Sequence, residues 1–428
     1  MTRHDSAKSL AQRSMGRRSL LGVLGAAPVA VGAGWVLSGS ADAVGAGSSG
    51  SSGPAGSSGA GGATGPKSAS GKWSVPPALR PNGELDQFLA QQAAQDAFSG
   101  TVLVAHGDRT VLTRSFGMAD KAKSIPNGTD TIYCLASVTK LFTAVAIAQL
   151  VQQGSVKYEG TLGSYLGGFA AEAADHVTVH QLLTHTSGLG DYFKIDGFFD
   201  AAAGWTTADQ VLSGTLDFIR KAPLMFTPGT GHTYSNSAYA VLGGIVQQVS
   251  GQSYYDYIRQ HVFAPAGMTS SDFYTRPQWQ SDRRLAHPYS RPTPGPRVDI
   301  VNQEQLFIGL PDGNAFATAP DLVRFARALL GGRLLEPAYI ELYNGAKFPA
   351  GTLPAKPGLP AKVLYEAYGP AVTLRNGKWA VGHNGGNAGI STFIEWYPGT
   401  EWVAVKLSNY DPQDTMMVDN EIEGILTR

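Results

Sequence analysis

One cysteine, Cys134, stands in 428 residues, so the chain can close no disulfide within itself and carries no paired-cysteine zinc motif. Excess charge is also missing. Lysine plus arginine number 33 and aspartate plus glutamate 33, which gives no electrostatic reason to expect nucleic acid or an anionic surface as partner. No Gly-x-Ser-x-Gly occurs, so the nucleophile elbow of the α/β-hydrolases is absent. No repeat of solenoid period is present. Cys134, next to Tyr133, reads as a small buried hydrophobe in a strand or turn.

The N-terminus is read as a targeting segment, outside the fold. Arg17-Arg18-Ser19-Leu20-Leu21 opens an apolar run from Leu20 to Leu37, and Ala41-Asp42-Ala43 follows as a small-residue cleavage site. Twin arginines, a Gly/Ala-rich apolar run and a basic leader (Arg3, Lys8, Arg13) resemble a Tat export signal over residues 1–43. The expected location is therefore the cell envelope or beyond, with membrane contact through this segment alone if it stays uncleaved. Val44 to Ala69 is almost all Gly, Ser and Ala and cannot bury enough apolar area to fold, so residues 44–79 are expected to be a disordered linker and residues 80–428 one domain.

Within that domain, Glu84 to Gln95 places Leu85, Phe88, Leu89 and Ala93 on one helical face. Gly100 to Ala105 and Thr110 to Phe116 are β-rich, joined by a hairpin signal at His106-Gly107-Asp108-Arg109. Trp379 to Gly382, Ile390 to Tyr397 and Trp402 to Ser408 are three more strand candidates. The five predict one antiparallel sheet flanked by helices in an α+β fold. The middle is mainly helical. Leu141–Gln152, Tyr239–Val249 and Asp321–Leu330 show helical patterning, and Thr178 with Gln181 forms a capping box ahead of Leu182-Leu183. A catalytic cleft is expected between the helical part and the sheet.

The chemistry concentrates in three short motifs. In Ser137-Val138-Thr139-Lys140, a serine and a lysine at i and i+3 share one helix face. A serine hydroxyl is a poor nucleophile until a neighbour takes its proton, and a desolvated lysine can do so. Tyr234-Ser235-Asn236 follows a Pro-Gly turn and precedes a helix; His383-Asn384-Gly385-Gly386 lies in a strand candidate. Between the first two comes Leu182-Leu-Thr-His-Thr-Ser-Gly-Leu189. Taken in this order, these motifs resemble the serine β-lactamase and penicillin-recognising family in its class C-like branch, over about residues 84 to 409.

The resemblance implies a β-lactamase/transpeptidase-like fold and a serine hydrolase that works through an acyl-enzyme without metal or organic cofactor. It casts Ser137 as nucleophile, Lys140 as base and Tyr234 as proton shuttle, acting as phenolate or as relay. Asn236 would hold Lys140 or a substrate amide. Gly385 and Gly386 would let a substrate lie against the strand, the Gly386 N–H joining that of Ser137 in an oxyanion hole. His383 stands where many relatives carry the lysine of a Lys-Thr-Gly motif. A histidine near its reference pKa of about 6.5 would hold a substrate carboxylate in a pH-dependent way. His176, His180 and His185 invite a metal reading, but Thr178 starts a helix between the first two, and none is expected to bind metal. The expected substrate is a small molecule or peptide, foremost a peptidoglycan stem peptide cleaved as by a D-Ala-D-Ala carboxypeptidase. The alternatives are a β-lactam, an ester, or a non-catalytic binding module on the same fold.

Overall fold

The computed structural model describes residues 74–291, 295–355 and 361–428. The expected export signal, and the expected linker as far as residue 73, lie outside the described residues. The described residues begin ahead of the domain boundary expected at residue 80. Pro77–Leu79 form a 3-10 turn, and Leu79 is buried against the sheet cluster.

An antiparallel sheet forms the frame. Its strands are β1 (Gly100–His106), β2 (Arg109–Phe116), β3 (Phe348–Leu353), β4 (Lys362–Glu366), β5 (Ala371–Arg375), β6 (Lys378–Asn387), β7 (Ile390–Tyr397) and β8 (Trp402–Ser408), in the spatial order β2-β1-β8-β7-β6-β5-β4-β3. The sheet has eight strands, which corrects the expected five. The three added strands build out one side, and their sequences explain why they carry no clear signal. Outermost β3 contains Pro349 and Gly351, residues that weaken an interior strand but are tolerated at an edge. The five strands read from the sequence form the other part of the sheet in one contiguous block, with β6 longer than its expected span.

Alternation along the strands sorts side chains to two faces. Val102 and Val104 pack with Leu85 and Leu89 of α1 (Glu84–Ala94) and with Val418 and Ile422 of a C-terminal helix, Pro412–Leu426. Leu103 and Ala105 face the opposite way, into the larger core shared with the helical part of the chain. At the centre of that core lies α2 (Lys140–Gln152). Its residues from Lys140 to Ala148 are all buried, because Leu-Phe-Thr-Ala-Val-Ala-Ile-Ala presents apolar or small side chains on every side. α3 (Asn236–Ser250) packs on α2, with Leu242, Ile245 and Val246 buried.

The short helix Val179–Leu183 carries the expected capping box. Gln181 N donates to Thr178 Oγ1 at 3.2 Å and Thr178 N donates to Gln181 Oε1 at 2.9 Å. Among the described residues, no helix is long and apolar enough to cross a membrane.

Candidate active site

The segment Tyr133–Cys134 pairs antiparallel with Phe316–Ala317 and delivers the chain into a 3-10 turn, Ala136–Thr139, which runs on into α2. Ser137 therefore lies in the tight turn just before the α-helix, and Lys140 is the first residue of the helix itself. Ala136 takes a left-handed φ of 45°, costly for a residue with a Cβ, and is held there by its surroundings. Its carbonyl accepts from Asn314 N at 3.2 Å and from Thr139 Oγ1 at 2.7 Å. The backbone that presents the serine is thus fixed on both sides. Cys134 is buried, and burial pushes its thiol pKa up, as befits an inert packing residue.

Lys140 is fully buried, and its ammonium has three oxygen acceptors. Nζ lies 3.3 Å from Ser137 Oγ, 2.8 Å from Asn236 Oδ1 and 2.6 Å from the Asp312 carbonyl oxygen. An ammonium has three N–H donors and no lone pair, so these contacts use it fully. Burial lowers its pKa to about 8, against the opposing charges of Asp312 and Asp191. Once a proton is lost, the loosest contact, to Ser137, is the one that can reverse direction and accept the hydroxyl proton. Asn236 opens α3 and is oriented by its own amide, which donates from Nδ2 to Asp191 Oδ2 at 3.1 Å.

Tyr234 is placed by the Leu182–Leu189 segment. His185, itself at a left-handed φ of 59°, accepts Thr233 N on its carbonyl and Ser235 N on Nδ1, both at 3.1 Å. Its ring lies 4.5 Å from that of Tyr234 and 5.1 Å from that of Tyr239. Met225 N and Gly229 N donate to the carbonyls of Gly188 and Thr186. The His-Thr-Ser-Gly stretch is therefore a backbone template for the tyrosine loop.

The Tyr234 hydroxyl is buried and makes no hydrogen bond of ordinary geometry. Burial raises its pKa well above the usual 10, and the nearby Ser137 hydroxyl opposes this without reversing it. Of the two expected states, the neutral phenol is therefore the one present, and the role it fits is relay rather than phenolate.

β6 passes alongside the serine. A Cβ built on Gly385 would stand 2.2 Å from the Leu135 carbonyl oxygen and 3.0 Å from Ser137 N, so only glycine lets the strand approach this closely. Gly386, one residue on, faces the cavity that Ser137 also lines.

His383 departs from expectation. It is buried, turned back so that Nδ1 meets the Asn384 carbonyl, and is not among the residues lining the cavity. Burial and then the Lys140 charge push its pKa down to about 3. The expectation of a histidine that titrates near neutrality and reads a carboxylate is therefore corrected: the ring is neutral throughout the working range, because desolvation disfavours the imidazolium. The expected result is that KM for a carboxylate-bearing substrate does not rise between pH about 6 and 8 relative to a matched amide. Paired pH profiles of KM check this, and a selective rise for the carboxylate would restore the charged histidine.

The cavity beside Ser137 has a volume of about 300 Å³, and Tyr234, Asn236, Asp312 and Gly386 share its wall. Sequence reasoning missed Asp191, Tyr192 and Asp312. Tyr192 donates its hydroxyl to both Asp312 carboxylate oxygens, at 3.1 and 3.0 Å, while the Asp312 carbonyl receives Lys140. Burial raises the Asp312 carboxyl to about 6, opposed first by Lys140. Leu310-Pro-Asp-Gly-Asn314 carries the marks of a turn, and that was the one signal available. The three histidines do not converge. His176 is exposed, His180 Nδ1 lies 2.9 Å from the Tyr368 hydroxyl, and His185 serves the tyrosine loop.

Residues 85–426 match the family model described as Beta-lactamase. Penicillin-binding protein 4* of Bacillus subtilis is 37% identical over 182 residues, 42% of this chain and 39% of that protein. Penicillin-binding protein 4 of Amycolatopsis lactamdurans is 29% identical over 325 residues, 72% of this chain and 80% of that one. Esterase EstB of Burkholderia gladioli is 32% identical over 270 residues, 61% of this chain and 64% of that one. The match thus spans less than two thirds of the B. subtilis protein and of the esterase. Among solved structures, a penicillin-binding protein from Bacillus halodurans superposes with a TM-score of 0.67 at 29% identity, over 79% of this chain and 98% of that one.

Proposed function

The chain belongs to the beta-lactamase family, and on that premise we propose that it is an exported serine hydrolase that cleaves small esters or amides through an acyl-enzyme on Ser137. The observation that carries this reading is the 3.3 Å contact between Ser137 Oγ and a buried Lys140 whose pKa burial has lowered to about 8, at the wall of a cavity. Ser137 Oγ attacks the substrate carbonyl while its proton passes to Lys140 Nζ. The tetrahedral oxyanion is received by the N–H groups of Ser137 and Gly386. The carbonyl re-forms as the bond to the leaving group breaks, and the leaving group takes a proton through the Tyr234 hydroxyl. Water then attacks the acyl-enzyme and gives a proton to Lys140, which returns it to Ser137 Oγ as the bond to the acyl group breaks and the acid leaves.

A carboxypeptidase must hold a terminal carboxylate. With His383 neutral, Lys194 is the one cation lining the cavity among the described residues, against Asp191, Glu304 and Asp312, so that hold is weak here. This moves the ester or amide reading ahead of the D-Ala-D-Ala peptidase reading. The peptidase stays as the second reading, on the strength of the similarity to penicillin-binding proteins.

Intact-protein mass spectrometry with an activated ester and a fluorescent penicillin, followed over time, tests the assignment. Ester turnover through a transient Ser137 adduct is expected. A long-lived penicillin adduct without ester turnover would favour the peptidase, and rapid lactam turnover a β-lactamase. No adduct with either reagent would leave a binding module.

Export rests on Arg17-Arg18 and the apolar run behind them. Fractionation of a tagged chain carrying Arg17→Lys and Arg18→Lys is expected to find the protein retained in the cytoplasm. Unchanged export of that chain would remove the Tat assignment.

A further inference from the structure

The groups that face Lys140 divide into those that can carry charge while the lysine titrates and those that cannot. The rings of Tyr234 and Tyr239 lie 4.8 and 5.5 Å from Nζ, and burial holds both phenols well above their usual pKa of 10. His185 and His383 also sense the Lys140 charge. Burial, and then that charge, pushes both imidazoles down, so both are neutral in the working range. Two carboxylates, Asp312 and Asp191, are left to answer the ammonium.

The two are built in differently. Asp191 reaches the lysine at one remove, through Asn236, whose Nδ2 donates to Asp191 Oδ2 at 3.1 Å while its Oδ1 accepts Lys140 at 2.8 Å. Asp312 is 2% exposed, and its own carbonyl oxygen accepts Lys140 Nζ at 2.6 Å. Its carboxylate accepts the hydroxyl of the fully buried Tyr192, at 3.1 Å on Oδ1 and 3.0 Å on Oδ2. Burial raises the Tyr192 pKa well above 10, so this phenol stays protonated and remains a donor. Tyr254 and Tyr255, which also sense the Asp312 charge, are neutral for the same reason. The hydrogen bonds to the carboxylate thus come from neutral donors, Tyr192 and its own backbone amide. A carboxylate so deeply buried is costly unless a nearby opposite charge offsets the desolvation, and the charge that does so first is Lys140.

We propose that Asp312 is a positioning residue for the base: its carbonyl holds Lys140 Nζ beside Ser137, and its carboxylate, locked by the Tyr192 hydroxyl, supplies the counter-charge that fixes how strongly the lysine holds a proton. The inference rests on the acyl-enzyme reading above, with Lys140 as base, and deepens it. Two effects oppose each other at Nζ. Burial lowers its pKa, the Asp312 charge raises it, and the balance leaves a lysine near 8 that can exchange a proton with the serine. Asp312 ionises at about 6, below that window, so the carboxylate is charged while the lysine titrates.

The test is the pH dependence of single-turnover acylation by an activated ester, read as the midpoint of the rise and not as its height. Asparagine at position 312 keeps the carbonyl, the shape and an acceptor for Tyr192, and removes the charge. In Asp312→Asn the midpoint is expected to fall by about one pH unit or more, because an ammonium that loses a nearby opposite charge gives up its proton more readily. The plateau should be lower too, since a weaker base takes the serine proton less readily. Tyr192→Phe removes the donor and leaves the carboxylate, which then ionises less readily. Its midpoint should fall in the same direction by a smaller amount. A midpoint does not depend on how much of the enzyme is folded, so partial misfolding does not imitate the shift. Where Asp312→Asn does not fold, the Tyr192→Phe midpoint decides. A wild-type midpoint in either folded variant, whatever the height of the plateau, overturns the proposal and leaves Asp312 a structural residue. Failure of the acyl-enzyme reading looks different: the wild type itself gives no adduct on Ser137, or a profile without the rise, which sinks both.

Discussion

Ser137→Ala is expected to abolish acyl-adduct formation and to lower ester turnover by on the order of 10⁴-fold or more, while the protein stays folded. In the proposed mechanism the hydroxyl is the covalent site, and no other step can substitute for the bond it forms. The substitution removes one oxygen from a partly exposed side chain whose contact with Lys140 is a loose one at 3.3 Å. The backbone that shapes the site does not depend on that oxygen. Ala136 keeps its left-handed φ through the bonds to Asn314 N and Thr139 Oγ1, and the β6 glycine still abuts Ser137 N. The oxyanion donors therefore survive, and residual binding of the ester should too. Single-turnover mass spectrometry checks the result. An adduct of ordinary yield on the alanine variant, or an adduct mapped elsewhere in the wild type, would remove Ser137 from the mechanism.

What the sequence made legible follows from how local each feature is. Ser137 and Lys140 are one turn apart, and Tyr234 and Asn236 are two residues apart, so both motifs survive as short strings. The third acceptor around Lys140 does not. It is the backbone carbonyl of Asp312, 172 residues away, and a carbonyl leaves no mark in residue identity.

The sheet divides in the same way. β7 and β8 are buried along nearly their whole lengths and are rich in β-branched and aromatic residues. β3 is largely half-exposed or exposed and carries Pro349 and Gly351, and β4 and β5 are runs of only five residues, so no clean alternation marks them. For His383 the residue was legible and its charge was not. The position in a strand motif could be read, but the burial that holds the ring neutral is a property of the packed structure.

Lys140→Met carries the second large effect. Methionine keeps the unbranched length and volume that fill the first turn of α2 and removes the base. Acylation of Ser137 is expected to fall by about 10³-fold or more, as it does when a proton acceptor is lost from a unit that acts together. The pH profile then separates a base from a merely structural residue. In the wild type, acylation should rise as pH passes through about 8, where Lys140 loses its proton. The methionine variant should lose that limb.

Stability should respond in the same window, and its sign is fixed by linkage. Burial lowers Lys140 from its ordinary 10.5 to about 8. Between those values the unfolded chain binds more protons than the folded one, so the wild type gains stability relative to Lys140→Met as pH rises through the window and is constant outside it. Denaturant titrations of both proteins at pH about 7 and about 10 measure this difference directly. Near-wild-type acylation in the methionine variant, or parallel stability curves for the two proteins, would mean that the lysine is charged and structural. The proton of Ser137 would then have to leave by Tyr234, whose buried neutral phenol is poorly suited to accept it.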